Sequence, residues 1–143
     1  MKTVWMLILA TGAFCADFSR SGADSVVTDN RSGLQWQDNA AVSLDPTAWQ
    51  SAVGRCEALD LGGYDDWRLP NINELLSIVD YGRSAPAIDP LFLHTASSRY
   101  WTSTSHAANP QLARGVDFSV GSDSPHEKLE ALYVRCVRGG AGE

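Results

Sequence analysis

Alternating apolar and polar residues around residue 30 predict a β-hairpin. Residues 26–29 are Val-Val-Thr-Asp, a composition typical of a strand, and residues 34–37 alternate so that Leu34 and Trp36 share one face. The Asn-Arg-Ser-Gly between them favours a turn. We therefore expect a hairpin with Leu34 and Trp36 on its buried face. Residues 17–24 carry no such pattern, and we expect them to form a loose lead-in.

The next segment predicts a helix that begins at residue 45. Asp45 is a favourable N-cap, and Pro46 suits the first helical position, where no backbone N–H is required. Gly62 and Gly63 predict the end of this helix. A stripe of apolar residues at helical spacing predicts its buried face, and these residues are Trp49, Ala52, Val53, Cys56 and Leu59.

A second helix is predicted directly after Pro70. Asn71 is a favourable N-cap, and Glu74 stands three residues later, where its side chain can bond back to the cap. The predicted buried stripe of this helix consists of Ile72, Leu75, Leu76 and Val79.

The C-terminal half has the pattern of β structure. Residues 100–104 and 131–138 are predicted strands, and residues 115–121 alternate strictly, which places Val116, Phe118 and Val120 on one face. Residues 81–90 contain two prolines and predict a loop, and residues 122–128 are expected to form a polar loop. A β-hairpin, two helices and further strands in this order predict an α+β domain.

The first 16 residues differ from the rest of the chain and predict a secretory signal peptide. Lys2 precedes the apolar run 4–10, which is followed by small residues through Ala16. The cleavage position stays open, and a buried N-terminal element is the alternative. Cys15 also raises the alternative of a lipoprotein, so we expect membrane attachment only if Cys15 is acylated. The predicted location is the periplasm, the cell surface or the medium.

Composition and charge narrow the classes of partner. With 44% hydrophobic and 20% charged residues, the 143-residue chain has the composition of one globular domain. Removal of the leader would remove Lys2 and no acid, so the formal net charge of −6 would become −7. Because an acidic domain repels polyanions, we expect no nucleic acid as a partner.

The two cysteines beyond the leader, Cys56 and Cys136, are expected to form a disulfide. A single pair in an exported chain favours a bridge over the alternative of two buried free thiols. The three histidines, His94, His106 and His126, are dispersed in polar segments and are expected to be solvated. We therefore expect no zinc site, no other metal and no cofactor.

Several short motifs together resemble a known family. They are residues 28–30, 33–36, 63–70, 100–103 and 133–138. In this order they resemble the Lcl C-terminal domain family, also called DUF1566, over roughly residues 24–140. The resemblance implies a C-type-lectin-like fold, with two helices packed on antiparallel sheets and a long loop region. It also implies a bacterial envelope or secreted setting. In the collagen-like adhesin that gives the family its name, a collagen-like stalk precedes this domain, and the protein as a whole binds sulfated glycans and promotes adhesion.

The most distinctive of these motifs, residues 65–70, has two interpretations. In the structural one, Trp67 and Leu69 are buried and Arg68 pairs with an acid such as Glu74. In the other, Asp65 and Asp66 bind a ligand, and we favour the structural interpretation. Calcium-dependent lectins of this fold resemble one another in a Glu-Pro-Asn or Gln-Pro-Asp triplet and a Trp-Asn-Asp triplet, and none of these triplets occurs in the chain. The remaining calcium candidates are scattered, namely Asp117, Asp123 and Glu127.

The sequence predicts recognition without catalysis. The chain has no phosphate-binding glycine loop and no nucleophile elbow, and a disulfide would leave no reactive thiol. We expect a non-catalytic module that binds a glycan or a surface protein through residues 81–128, with Trp101 mostly in the core. The alternative is a structural or assembly component of a cell-envelope appendage. The candidate ligand-binding residues are Arg99, Tyr100, His106 and Arg114.

Overall fold

The computed structural model describes residues 17–21, 23 and 25–140, and the predicted leader lies outside these residues. The described chain forms an α+β domain with two antiparallel sheets and two short α-helices, which confirms the predicted class. The elements are β1 (Phe18–Ser21), β2 (Val26–Asp29), β3 (Gln35–Gln37), a 3₁₀ turn (Ala40–Ser43), α1 (Trp49–Glu57), α2 (Ile72–Leu76), β4 (Arg99–His106), β5 (Asn109–Asp117), β6 (Ser122–Glu127) and β7 (Val137–Arg138).

The first sheet contains the predicted hairpin. Its strand order is β1-β2-β3-β7, and β2 pairs with β3 so that Val27 lies opposite Trp36. Gly33 has a φ of 80°, which a glycine adopts without a Cβ clash and which closes the turn between the strands. Leu34 and Trp36 are buried, as predicted.

The expectation of a loose lead-in is wrong, because residues 18–21 form β1 along β2. The short strand is fixed by contacts with distant residues. The ring of Phe18 packs edge-on against Phe92 at 5.2 Å, and Arg20 forms an ion pair with Asp38. Neither contact has a signal in the local sequence, so the alternation rule does not find this strand.

The second sheet has the order β4-β5-β6 and corrects two predictions. The predicted polar loop is β6, whose backbone pairs with β5 from Leu112 opposite Glu127 to Asp117 opposite Ser122. The predicted strand over residues 115–121 ends at Asp117, where the chain turns and the Gly121 N–H donates to the Asp117 carbonyl. Val120 therefore lies in a turn and is 60% exposed, whereas Val116 and Phe118 are buried.

Helix α1 begins later than predicted. Thr47 pairs with Leu132 in both directions, its N–H donating to the Leu132 carbonyl and its carbonyl accepting the Leu132 N–H. This pairing holds the backbone extended, so Asp45 does not cap the helix, which begins at Trp49 and ends at Glu57. Ala52 and Cys56 are buried as predicted, whereas Trp49 is only half-buried.

Helix α2 has the predicted start. The Asn71 side chain accepts from the Glu74 N–H at 2.8 Å, and the Glu74 carboxylate accepts from the Asn71 N–H at 2.9 Å. This reciprocal capping box satisfies two backbone donors that the first turn would otherwise leave free. Leu75 is buried, and Val79 lies beyond the end of the helix but still packs against the core.

The segment before the C-terminus is extended, but only Val137–Arg138 forms a regular strand. Upstream of it, Leu132 pairs with Thr47 and Tyr133 pairs in parallel with Tyr100. The predicted final strand over residues 131–138 therefore contacts both sheets in turn, because its residues find different partners along its length.

The Cys56–Cys136 disulfide is present and joins α1 to this C-terminal segment across 80 residues. Both cysteines are buried in a hydrophobic cluster that includes Trp67 and Trp101. A second cluster, around Trp36, Leu75, Tyr100 and Phe118, fills the space between the first sheet, α2 and the second sheet.

A buried ion pair lies one residue before the disulfide. The Arg135 Nη1 is 3.1 Å from the Asp38 Oδ1, and both side chains are at most 1% exposed. Asp38 also accepts from Arg20 and from the N–H groups of Leu93 and His94. Arg135 donates in addition to the carbonyls of Gln37 and His94 through its two terminal nitrogens, whereas its buried Nε has no hydrogen-bond partner.

Replacing both bridged cysteines, Cys56→Ala with Cys136→Ala, should lower the free energy of unfolding by about 2–5 kcal/mol, because the unfolded chain gains conformational freedom. Urea denaturation measures this loss. Wild-type protein in reductant is the matched control and should lose a similar amount. Alkylation of both thiols in native, unreduced protein would contradict the bridge.

Asp38→Asn should lower the free energy of unfolding by about 3–5 kcal/mol, since it leaves the buried Arg135 cation without its counter-charge. The matched control is Asp80→Asn, which affects the exposed Arg83–Asp80 pair and should cost less than about 1 kcal/mol. Equal losses of unfolding free energy in the two variants would contradict a larger contribution from the buried pair than from the exposed one.

Candidate functional site

The motif at residues 65–70 has the structural role that we favoured from the sequence. Trp67 and Leu69 are 2% and 4% exposed, and the Trp67 Nε1–H donates to the carbonyls of Leu61 and Tyr64. The Arg68 guanidinium forms two hydrogen bonds of 2.8 Å with the Glu74 carboxylate. Burial alone would raise the pKa of Glu74, but these bonds and the Asn71 N–H hold that pKa below its usual value.

The two acids of this motif differ in their contacts. Asp66 accepts two hydrogen bonds from Arg138, at 2.6 and 3.1 Å, and the Arg138 guanidinium stacks 3.6 Å from the centre of the Tyr64 ring. The hydrogen bond from Arg138 lowers the pKa of Asp66. Asp65 is exposed and has no hydrogen bond or ion pair within the described part of the chain. Asp66 thus braces the C-terminal strand.

The prediction that Tyr100 contacts a ligand is wrong. Its side chain is completely buried, its hydroxyl donates to the Val42 carbonyl at 2.7 Å, and it accepts from the Ala96 N–H at 2.8 Å. Burial raises the pKa of this hydroxyl. Tyr100 alternates inward on β4 and packs edge-on against Phe118, so it has no surface to offer a ligand. Trp101 is also buried, as expected.

The two arginines among the predicted site residues do not converge. Arg99 lies opposite Asp117, and Arg114 is three residues before Asp117 on β5, so the alternation of a strand places the two arginines on opposite faces of the sheet. Arg114 pairs with Asp123. Burial would raise the pKa of Asp117, but two hydrogen bonds from Ser119 and the nearby charge of Arg99 lower it below its usual value. No basic patch forms from these residues.

The acids suggested as calcium ligands are also separated. Asp117 bonds to Ser119, Asp123 pairs with Arg114, and Glu127 lies at the other end of β6. Within the described residues, no group of three or more histidine, cysteine, aspartate or glutamate side chains is placed to hold a metal ion.

His106 is the predicted site residue that lies beside an open concavity. It is half-buried at the end of β4, where it pairs with Asn109 across the tip of the β4–β5 hairpin. The concavity, here called the hairpin groove, has a volume of about 460 Å³. Its lining comes from the start of β5 and from the turn after β6, namely Asn109, Pro110, Gln111, Leu112, Glu127, Lys128 and Leu129.

The hairpin groove combines hydrogen-bonding groups with apolar surface. The Asn109 and Gln111 side chains are exposed carboxamides, and Glu127 adds an exposed carboxylate. The Asn109 Oδ1 already accepts the Gln111 N–H at 2.9 Å, so its amide group offers mainly its donors, whereas Gln111 can both donate and accept. Leu129 is 89% exposed and adds apolar surface to the groove. A small set of polar groups beside an apolar surface is the usual composition of a ligand site.

Lys128 forms one wall of the groove and covers an aromatic ring. Its Nζ lies 4.1 Å from the centre of the Trp49 ring and donates to the Ser105 hydroxyl at 2.9 Å. The backbone of Lys128 is fixed on both sides, since its N–H donates to Gln111 and its carbonyl accepts the Trp49 N–H. The Trp49 Nε1–H in turn donates to the Thr102 carbonyl, so the ring has a defined position behind the groove.

Sequence analysis missed most of this groove. It included residues 109–128 only as part of the long recognition region 81–128 and Glu127 as a calcium candidate, and Leu129 lay outside that region. The groove depends on the pairing of two polar strands, which have no apolar alternation. The isolated Leu129 between charged residues was the available signal.

Two small antiparallel sheets, two short helices and one disulfide around a surface groove define a small disulfide-bonded α+β domain. The family model of the Lcl C-terminal domain matches residues 25–138, and the chain belongs to this family. A comparison with curated proteins found no match.

Glu74→Gln should make the domain about 1–2 kcal/mol less stable at pH 7, since a charge-assisted bond to Arg68 is lost. Glu74 has a pKa lowered by folding, so its contribution is present above the unfolded value of 4.5 and is lost as the pH falls through the folded value. The variant should therefore lose less stability than wild type between pH 5 and pH 3. Urea denaturation at several pH values measures both effects, with Asp65→Asn as the unpaired control.

Proposed function

We propose that this domain is an exported, non-catalytic ligand-binding module of C-type-lectin-like architecture, and that it binds its ligand in the hairpin groove. The observation that carries the proposal is the composition of the groove, in which the exposed carboxamides of Asn109 and Gln111 stand beside Glu127 and the exposed Leu129. Membership of the Lcl C-terminal domain family is consistent with an adhesin-like role.

A glycan with uncharged hydroxyl groups is the ligand class that suits these side chains best. Carboxamides and carboxylates form hydrogen bonds with sugar hydroxyls in both directions, and an apolar residue can pack against the C–H face of a sugar ring. Sulfated polyanions suit the site less well. Arg31, Arg83, Arg114 and Arg138 each pair with an aspartate, and the net charge of the whole chain is −6.

Binding without chemical turnover is part of the proposal. Both cysteines among the described residues are bridged and supply no thiolate, and the acids that could serve as metal ligands already bond to arginine or serine partners or lie apart. We therefore propose that recognition needs neither calcium nor a cofactor.

An exported setting agrees with the disulfide, since such bridges persist in oxidising compartments. In the described part of the chain, no helix has the length and hydrophobicity that a membrane span requires. We propose the periplasm, the cell surface or the medium as the location, with membrane attachment only through acylation of Cys15.

A glycan array on the purified mature domain, repeated with a chelator, tests the proposal. We expect binding to neutral glycans that survives the chelator. Gln111→Ala and Asn109→Ala should each weaken binding roughly tenfold, the effect of one lost hydrogen bond in a site. Arg83→Ala, at an exposed ion pair outside the groove, is the control and should bind as wild type.

Two results would contradict this proposal. Loss of binding in the chelator would show that a metal ion takes part. Binding that tolerates both groove substitutions but is lost on changing Arg99, Asp65 or Arg114 would place the ligand elsewhere on the surface.

A structural component of an envelope appendage is the second candidate. The observation on which it rests is Leu129, whose side chain is 89% exposed and would bury apolar surface in a protein contact. Analytical ultracentrifugation distinguishes the two candidates, since an assembly role predicts self-association that Leu129→Ser weakens.

A further inference from the structure

The turn that carries Lys128 and Leu129 is closed by reciprocal contacts between Glu127 and Glu130. The Glu130 N–H donates to the Glu127 carbonyl at 2.9 Å, and the Glu130 Oε2 accepts from the Glu127 N–H at 3.1 Å. The carboxylate of Glu130 therefore helps to hold the start of the turn, together with the backbone bonds of Lys128 to Gln111 and Trp49.

A histidine lies beside the other oxygen of this carboxylate. His126 Nδ1 lies 3.4 Å from the Glu130 Oε1, and its Nε2 lies 3.0 Å from the Ser124 hydroxyl. The sequence led us to expect a solvated side chain, but only 11% of this one is exposed. It packs edge-on to Trp101, and a Cβ at Gly115 would come within 3.1 Å of its ring, so the imidazole has little freedom to move.

We propose that His126, Glu130 and Ser124 form a pH-sensitive clasp that tightens the groove-lining turn in acid. The neutral imidazole can donate from Nδ1 to Glu130 and accept the Ser124 proton at Nε2. The protonated ring donates at both nitrogens, and the Ser124 hydroxyl reverses to accept. Protonation thus places a full positive charge beside the Glu130 carboxylate, 3.4 Å from its Oε1, without moving a heavy atom.

The charges around His126 support this direction. Glu130 faces it from the turn, and Asp117 of β5 interacts favourably with its positive charge. Two cations oppose that charge: Arg99, which lies on the same face of the sheet and opposite Asp117, and Lys128, whose ammonium bonds to Ser105. Ser105 pairs with Ala113, the residue opposite His126. Trp101 and Leu132 add no charge. Histidine is the side-chain type whose charge ordinarily changes between about pH 8 and pH 5, and this range sets the conditions of the experiment.

This inference rests on the proposed function for its consequence, since a tighter turn would alter the groove that we propose as the ligand site. The clasp itself is measurable in the free protein, so its failure is separable from failure of the binding proposal. The experiment measures solvent exchange of the Glu127 amide by NMR between pH 7.5 and pH 5.5, corrected for intrinsic exchange chemistry.

In wild type, we expect protection of the Glu127 amide to increase roughly threefold as the pH falls, the size expected of a partly exposed ion pair. Glu130→Gln and His126→Gln should each abolish this increase. His106→Gln, at the other side of the hairpin tip, is the matched control and should retain it.

Since His126 is mostly buried, Glu130→Gln is the deciding variant if His126→Gln does not fold. An unchanged Glu127 amide in wild type, or the same pH response in Glu130→Gln, would overturn the clasp.

Discussion

The buried contact between Asp38 and Arg135 is the constraint on which the rest of the domain depends. A charge removed from water is tolerated only where other groups replace its hydration, and here the replacements come from β1, from the loop at residues 93–95 and from the end of β3. Burial lowers the pKa of Arg135, opposed by the electrostatic effects of Tyr100 and Asp38. The pair thus links β1, the end of β3, the loop at residues 93–95 and the C-terminal segment through direct hydrogen bonds.

The next residue of the same strand makes the covalent connection. Because consecutive residues of an extended chain point in opposite directions, Arg135 enters the charge network while Cys136 reaches α1. The C-terminal segment thereby joins the two hydrophobic clusters, and Val137 adds the last strand to the first sheet. A segment of four residues thus provides the ion pair, the disulfide and the sheet edge.

The hairpin groove lies away from this network, at the far end of the second sheet. Its walls are held by backbone hydrogen bonds of β5 and β6 and by the contacts of Lys128 with Gln111 and Trp49. A rigid sheet that presents a turn with few buried contacts allows the turn to vary while the scaffold stays fixed. This separation explains why Trp67 and Arg68, in the most distinctive motif, serve stability and not the surface.

The sequence by itself determined the elements whose signals are local. The hairpin turn ends at a glycine, the capping box joins residues three apart, the apolar stripe of α1 includes Cys56, and the motif at residues 65–70 has its own tryptophan and ion pair. The tertiary structure decided what depends on distant partners. Backbone pairing forms β1 and β6 from polar residues, and α1 begins later than predicted because Thr47 is paired with Leu132. The tertiary structure also buried Tyr100, and it brought Asn109 and Leu129 to one groove. Backbone hydrogen bonds between strands do not depend on side-chain polarity, so no local pattern showed that the polar segments of β1 and β6 would pair.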